Sequence, residues 1–138
     1  MASMTGGCLC GKARYTIDAE PAFTGVCHCT HCQKQSGSAF SIVIAVPTAS
    51  VSVQGNTTAY VGTGDSGKSV TSRFCPVCGS TLMSEPEMMA GMAIIRAGTL
   101  DDTSTLKPAM EIYCDSKQPW VDLGGLQSFP TMPMPGGG

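Results

Sequence analysis

At 138 residues the chain has the length of one domain with a modest core. Only 13% of its residues are charged and the net charge is -2, so the composition carries no basic surface for nucleic acid or an anionic membrane. No apolar run approaches the roughly 20 residues of a spanning helix, and the N-terminus lacks a basic-then-apolar leader, so the expectation is a cytoplasmic protein that engages neither membrane nor nucleic acid.

The opening "MASMTGG" is similar to the leader of a common expression tag. Residues 1–5 are therefore set aside, with 6–130 as the single domain and 131–138 as a Pro/Gly-rich tail that cannot enter a regular element. Within the domain, short stretches rich in β-branched and aromatic residues predict strands at 13–17, 39–46, 51–53, 59–61, 69–74, 92–97 and 111–114. Each is bounded by Gly, Pro, Asp, Ser or Thr, which predicts a mainly β, antiparallel protein. A turn or two of helix is expected at 30–36 and again at 85–92. "GTGDSGKS", 62–69, matches the letters of a phosphate-binding loop, but the β-branched "SVTSRF" that follows cannot open the helix such a loop requires. It reads as a hairpin turn. The methionines, Met83, Met88, Met89, Met92 and Met110 among them, read as adaptable filling for a core or a pocket wall.

Eight cysteines carry the chemistry: Cys8, Cys10, Cys27, Cys29, Cys32, Cys75, Cys78 and Cys114. Side chains two residues apart on an extended chain stand about 6.6 Å apart along the strand. A relaxed disulfide brings its Cβ atoms to about 3.8 Å, so the C-x-C pairs are poor disulfides and good metal clamps. "FCPVCGS" places Cys75 and Cys78 in a knuckle turn that supplies two ligands to a metal, and no thioredoxin-like strand and helix surround it. Structural zinc takes four ligands, and "GGCLCG" offers the second pair, Cys8 and Cys10. Cys27, Cys29 and Cys32 remain as a compact tripod filling three corners of a tetrahedron. Its fourth corner is either open, as in catalytic zinc, or closed by Cys114, His28 or His31. Cys114 otherwise reads as a buried small hydrophobe. His28 and His31 read as flanking the metal, facing solvent or supporting the ligands, with proton transfer to a bound substrate as their candidate catalytic role.

Together, "GGCLCGKARY" (6–15), "CHCTHCQKQSGSAF" (27–40), "SRFCPVCGSTL" (72–82) and "YCDSKQPWVDL" (113–123) resemble the glutathione-dependent formaldehyde-activating enzyme family, also called the GFA or centromere-protein-V domain family. The resemblance implies a β-tent fold of small antiparallel sheets organised around a structural zinc, two Zn²⁺ per chain and frequent homodimers. It further implies that Cys8, Cys10, Cys75 and Cys78 hold the structural ion, while Cys27, Cys29 and Cys32 hold a catalytic one. The implied activity is a carbon–sulfur lyase that joins glutathione and formaldehyde into S-(hydroxymethyl)glutathione or reverses that step. Many members carry histidine where this chain has Glu111, which opens the substrate to change.

On that reading, a small thiol ionises at the open corner and attacks an aldehyde. His28 or His31 relays the proton, and N–H groups around 36–38 steady the oxyanion. Lys34 and Arg73 meet the carboxylates of glutathione as co-substrate. The alternatives are a binding module with two structural zincs, and an enzyme acting on a different small substrate in the same pocket.

Overall fold

The computed structural model describes residues 3–64 and 67–132. Strands β1 (Met4–Gly7), β2 (Arg14–Ile17) and β5 (Val51–Gln54) form one antiparallel sheet in the order β1-β2-β5. A second sheet takes β3 (Phe23–Cys27), β4 (Ser41–Pro47), β6 (Thr58–Thr63), β7 (Ser69–Phe74), β8 (Thr81–Pro86), β9 (Met92–Arg96), β10 (Met110–Ile112) and β11 (Gln127–Ser128). Its order is β11-β10-β3-β4-β9-β8-β7-β6. Helix α1 (Thr30–Ser36) spans the connection from β3 to β4.

The chain is mainly β, but three expectations need correction. Met4 and Thr5, set aside above, belong to β1: Met4 pairs with Ile17, and the Thr5 hydroxyl donates to Asp101 Oδ2 at 2.7 Å. The larger sheet is antiparallel except at β10, which runs parallel to both β3 and β11. The expected helix at 85–92 is instead the end of β8 and a single 3-10 turn, Glu87–Met89. Pro86 has no N–H for a helical ladder and sits at an extended φ of -75° and ψ of 136°. The loop at 62–69 does join a hairpin: Thr63 pairs with Ser69, and Gly64 N–H donates to the Lys68 carbonyl at 2.9 Å. Asp65 and Ser66 lie outside the described residues.

The period-2 alternation of β-strands divides the large sheet into two faces with different jobs. On β9, Ala93 and Ile95 are buried in the main core with Tyr15 and Ile17 of β2, Ile44 and Val46 of β4, and Leu82 of β8. Ile94 and Arg96 point the other way and line a cavity. Cys8 and Cys75 also sit in the main core, so part of the first cysteine set and the apolar packing share one cluster. Burying a side chain such as Ile44 or Leu82 contributes about 1.5–3 kcal/mol.

Gly6 of β1 also bridges to Leu100, which follows β9 across a single 3-10 turn, Ala97–Thr99. A Cβ on Gly6 would lie 2.4 Å from Tyr15 Oη and 2.5 Å from the Thr99 carbonyl oxygen. Tyr15 has little room to retreat, being 1% exposed with its hydroxyl bonded to Thr99 Oγ1 at 2.7 Å. Gly6→Ala is expected to destabilise the fold by about 1–3 kcal/mol, read as a lowered midpoint in urea denaturation at unchanged m-value.

Candidate metal centres

Cys8 and Cys10 leave the end of β1, while Cys75 and Cys78 form the turn between β7 and β8. Their sulfur atoms converge: Cys8 to Cys10 is 3.6 Å and Cys10 to Cys75 is 3.7 Å. A tetrahedron with metal–sulfur bonds of about 2.3 Å sets its sulfurs about 3.8 Å apart, so this spacing fits zinc. Backbone N–H groups aim at the sulfurs as they would at thiolates. Ala13 donates to Cys8 Sγ at 3.3 Å, and Val77 and Cys78 donate to Cys75 Sγ at 3.4 and 3.5 Å. Hydrogen bonds from the Ser80 hydroxyl and N–H hold the Cys78 thiol down at about 5, a thiolate at neutral pH. All eight cysteines are free thiols.

The tripod is set by the β3–α1 junction. Cys27 ends β3, Cys29 is the N-cap of α1 and accepts from Cys32 N–H at 3.3 Å, and Cys32 follows one helical turn later on the same side. Gly37 closes the helix at φ 67°, its N–H donating to the Gln33 carbonyl. The three sulfurs lie within 4.8 Å of one another, and no other described residue joins that cluster. Hydrogen bonds from Cys27 and then Cys29 lower the Cys32 thiol far below its ordinary value, with the charge of Arg96 acting in the same direction. The same coupling, added to burial, pushes Cys27 up. A divalent cation is what lets such a trio ionise together.

Arg96, which the sequence reading missed, holds the tripod from the sheet side. Its Nη1 donates to Cys32 Sγ at 3.2 Å and to Ser41 Oγ at 3.1 Å, and its Nη2 donates to Ser84 Oγ at 3.1 Å and to Gln35 Oε1. Gln35 in turn donates to Ser72 Oγ at 2.8 Å. Arg96, Gln35, Ser72, Ser84 and the tripod line a cavity of about 360 Å³.

His31 and Lys34 line that cavity with exposed side chains. Three other expectations are corrected. His28 is fully buried, faces away from the cavity, packs edge-on against Phe40 and meets Glu111 Oε1 through Nε2 at 2.8 Å, so it carries no proton to a substrate there. Arg73 does not line the cavity either: β7 turns Ser72 inward and Arg73 to the other face, where Nε meets Glu85 Oε1 at 2.5 Å. The N–H groups of Gly37 and Ser38 are spent on the Gln33 carbonyl and on Ser36 Oγ.

Glu111 is the centre of a buried ion-pair network behind the tripod. Besides His28, it meets Lys117 Nζ at 3.3 Å and accepts from the Ser128 hydroxyl at 3.1 Å. His28, Glu111 and Cys114 bring donor atoms within 4.8 Å of one another, but the Lys117 ammonium already supplies the cation at that carboxylate. Burial alone would raise the Glu111 carboxyl, yet hydrogen bonds from His28, Lys117 and Ser128 hold it below its ordinary range. A depressed carboxyl contributes stability that is present above its unfolded value and lost as pH falls through its folded one. Glu111→Ala should therefore cost roughly 3–5 kcal/mol near neutral pH, and less in acid, measured by chemical denaturation at both pH values.

Comparison with known proteins agrees with this arrangement. The profile of the family described as glutathione-dependent formaldehyde-activating enzyme matches residues 3–116. A search of curated proteins finds no match. The crystal structure of a Rhodobacter sphaeroides protein, solved as a structural genomics target, superposes with a TM-score of 0.61 at 18% identity, covering 91% of this chain and all of the other, and so shares the fold. With the profile spanning both cysteine sets and the β-tent scaffold between them, the chain belongs to the glutathione-dependent formaldehyde-activating enzyme family.

Proposed function

We propose that this chain is a zinc-dependent carbon–sulfur lyase that makes or breaks the adduct of a small thiol and an aldehyde. The observation that carries the reading is a three-sulfur cluster, with no fourth protein donor among the described residues, opening onto a cavity. Cys27, Cys29 and Cys32 would hold a zinc ion, which when bound would supply the Lewis-acid chemistry that lets a small thiol ionise near neutral pH. The first cysteine set, Cys8, Cys10, Cys75 and Cys78, would hold a second ion with four protein ligands and so serve the fold.

A tris-thiolate site carries excess negative charge, which weakens it as an acid. Arg96 offsets this by donating to Cys32, drawing electron density from a ligand sulfur. Ser41, Ser84 and Gln35 keep the guanidinium in place. His31 lines the cavity with an exposed side chain, which supports a role in exchanging a proton between substrate and water. Free thiols at all eight cysteines suit a reducing, cytoplasmic setting, and no helix among the described residues is long and apolar enough to cross a membrane.

The test is release of free aldehyde from thiol–formaldehyde adducts by the zinc-loaded protein. Release well above the uncatalysed rate is expected, and a rate equal to buffer across a panel of adducts would reduce the protein to a zinc-stapled binding module. Arg96→Met is expected to lower activity or tripod metal affinity by roughly 10–100-fold, with partial rescue by Arg96→Lys, checked by chelator competition alongside turnover.

A further inference from the structure

Resting on that thiol chemistry, we infer that the cavity takes a thiol with an apolar body and one anionic group, in preference to glutathione. The walls leading from the tripod are apolar and pliable. Phe23, Val70, Met88, Met89, Ile94 and Met132 supply much of this lining. The polar lining groups Gln35, Ser69, Ser72 and Ser84 already hold partners, so a peptide group set against the apolar wall would leave its water for few of its own. Thioether side chains adapt their shape to an alkyl or aryl chain.

Charge points the same way. Glutathione brings two carboxylates and one ammonium, and no Asp or Glu lines the cavity among the described residues. An ammonium seated there would be desolvated with no carboxylate partner, the negative charge of the cysteine trio being already met by Arg96. Nor is Arg96 free for a carboxylate: both of its terminal nitrogens are committed to Cys32, Ser41, Ser84 and Gln35. Lys34 alone among the lining residues offers an uncommitted cation, exposed at the rim and bonded to no described side chain. Sulfur at the tripod and one anionic group at Lys34 define the two ends of the ligand, with hydrocarbon between them.

The reaction on such a ligand balances without an oxidant. In the lytic direction the adduct hydroxyl gives up its proton, its oxygen forms the carbonyl of the aldehyde, and the carbon–sulfur bond breaks. The sulfur leaves with the bonding pair as a thiolate and regains a proton on release. The apolar wall contributes binding, and the polarity of the remaining chain decides which thiols enter.

Calorimetric titration of the zinc-loaded protein with glutathione, mercaptohexanoate and mercaptohexanol tests this without requiring turnover. Mercaptohexanoate should bind at least tenfold more tightly than glutathione and several-fold more tightly than mercaptohexanol, and Lys34→Gln should abolish only the second difference. Glutathione binding as tightly as mercaptohexanoate would overturn the inference, as would a carboxylate advantage that survives in Lys34→Gln. The formaldehyde adducts of the same thiols, assayed for aldehyde release, separate the two readings. Preferential binding of mercaptohexanoate with no release from any adduct would refute the lyase while leaving the ligand class standing.

Discussion

Cys75→Ser is expected to leave the chain largely unfolded at room temperature, with loss of near-ultraviolet circular dichroism. Cys75 is 1% exposed and belongs to the main core, and its sulfur lies 3.7 Å from that of Cys10. It also receives N–H groups from Val77 and Cys78. Serine keeps the shape but replaces a soft thiolate with a hard, protonated hydroxyl, so the ion loses a corner and the inward N–H groups lose their acceptor. Structural zinc contributes about 10–16 kcal/mol to the folding of small metallo-domains, comparable to the whole net stability of a domain this size. Forfeiting most of that would exceed the net stability left to a domain of this size. Because the site ties β1 to the β7–β8 turn, its loss frees both sheets at once. A Cys75→Ser protein with native circular dichroism and an unchanged urea midpoint would refute the structural role.

Cys32→Ala is expected to keep the fold and lose the chemistry. The variant should bind one zinc fewer per chain and release aldehyde from thiol adducts at the uncatalysed rate, while its thermal midpoint moves by a few degrees at most. The asymmetry with Cys75 follows from where each cluster sits. The tripod packs in a separate small apolar group with Ile112, Tyr113, Phe129 and Met132, apart from the main core. It also lies within one β3–α1 junction, so its metal closes a loop of a few residues and removes little chain entropy. Wild-type rates in Cys32→Ala would dismiss metal catalysis at this site.

Most of the β framework was legible because β-branched runs between turn residues have few alternatives: β7 and α1 have the bounds expected for them. Strands β1, β3, β8 and β11 lie outside the expected stretches, and β1 and β8 failed that signal for specific reasons. β1, "MTGG", holds two glycines and a tag-like leader, and is a strand only because Gly6 lets Tyr15 and Thr99 approach. β8 carries Ser84 and Glu85 and ends in Pro86, so its apolar content is local to Leu82 and Met83. Both cysteine sets were readable because C-x-C and C-x-x-C spacings restrict how sulfurs can converge.

The polar residues around the tripod were harder to assign, since a strand alternates its faces and sequence gives no absolute register. Arg73 and Arg96 look alike as strand cations, yet β7 turns Arg73 to Glu85 and β9 turns Arg96 to Cys32. A signal for Arg96 did exist. It ends the apolar strand "MAIIR" on the face of Ile94 rather than that of the core residue Ile95. His28 was misjudged because its neighbours are ligands: the same alternation that turns Cys27 and Cys29 to the metal sends the residue between them into the Glu111 network.

The most direct test of the account is the zinc-to-protein ratio followed through stepwise chelation, with circular dichroism recorded on the same samples. Two zinc ions per chain at the start, one released early with the spectrum unchanged, and the second released only as the fold collapses is the predicted course. Simultaneous loss of both ions with unfolding, or a starting ratio of one, would contradict an open, exchangeable metal at Cys27, Cys29 and Cys32.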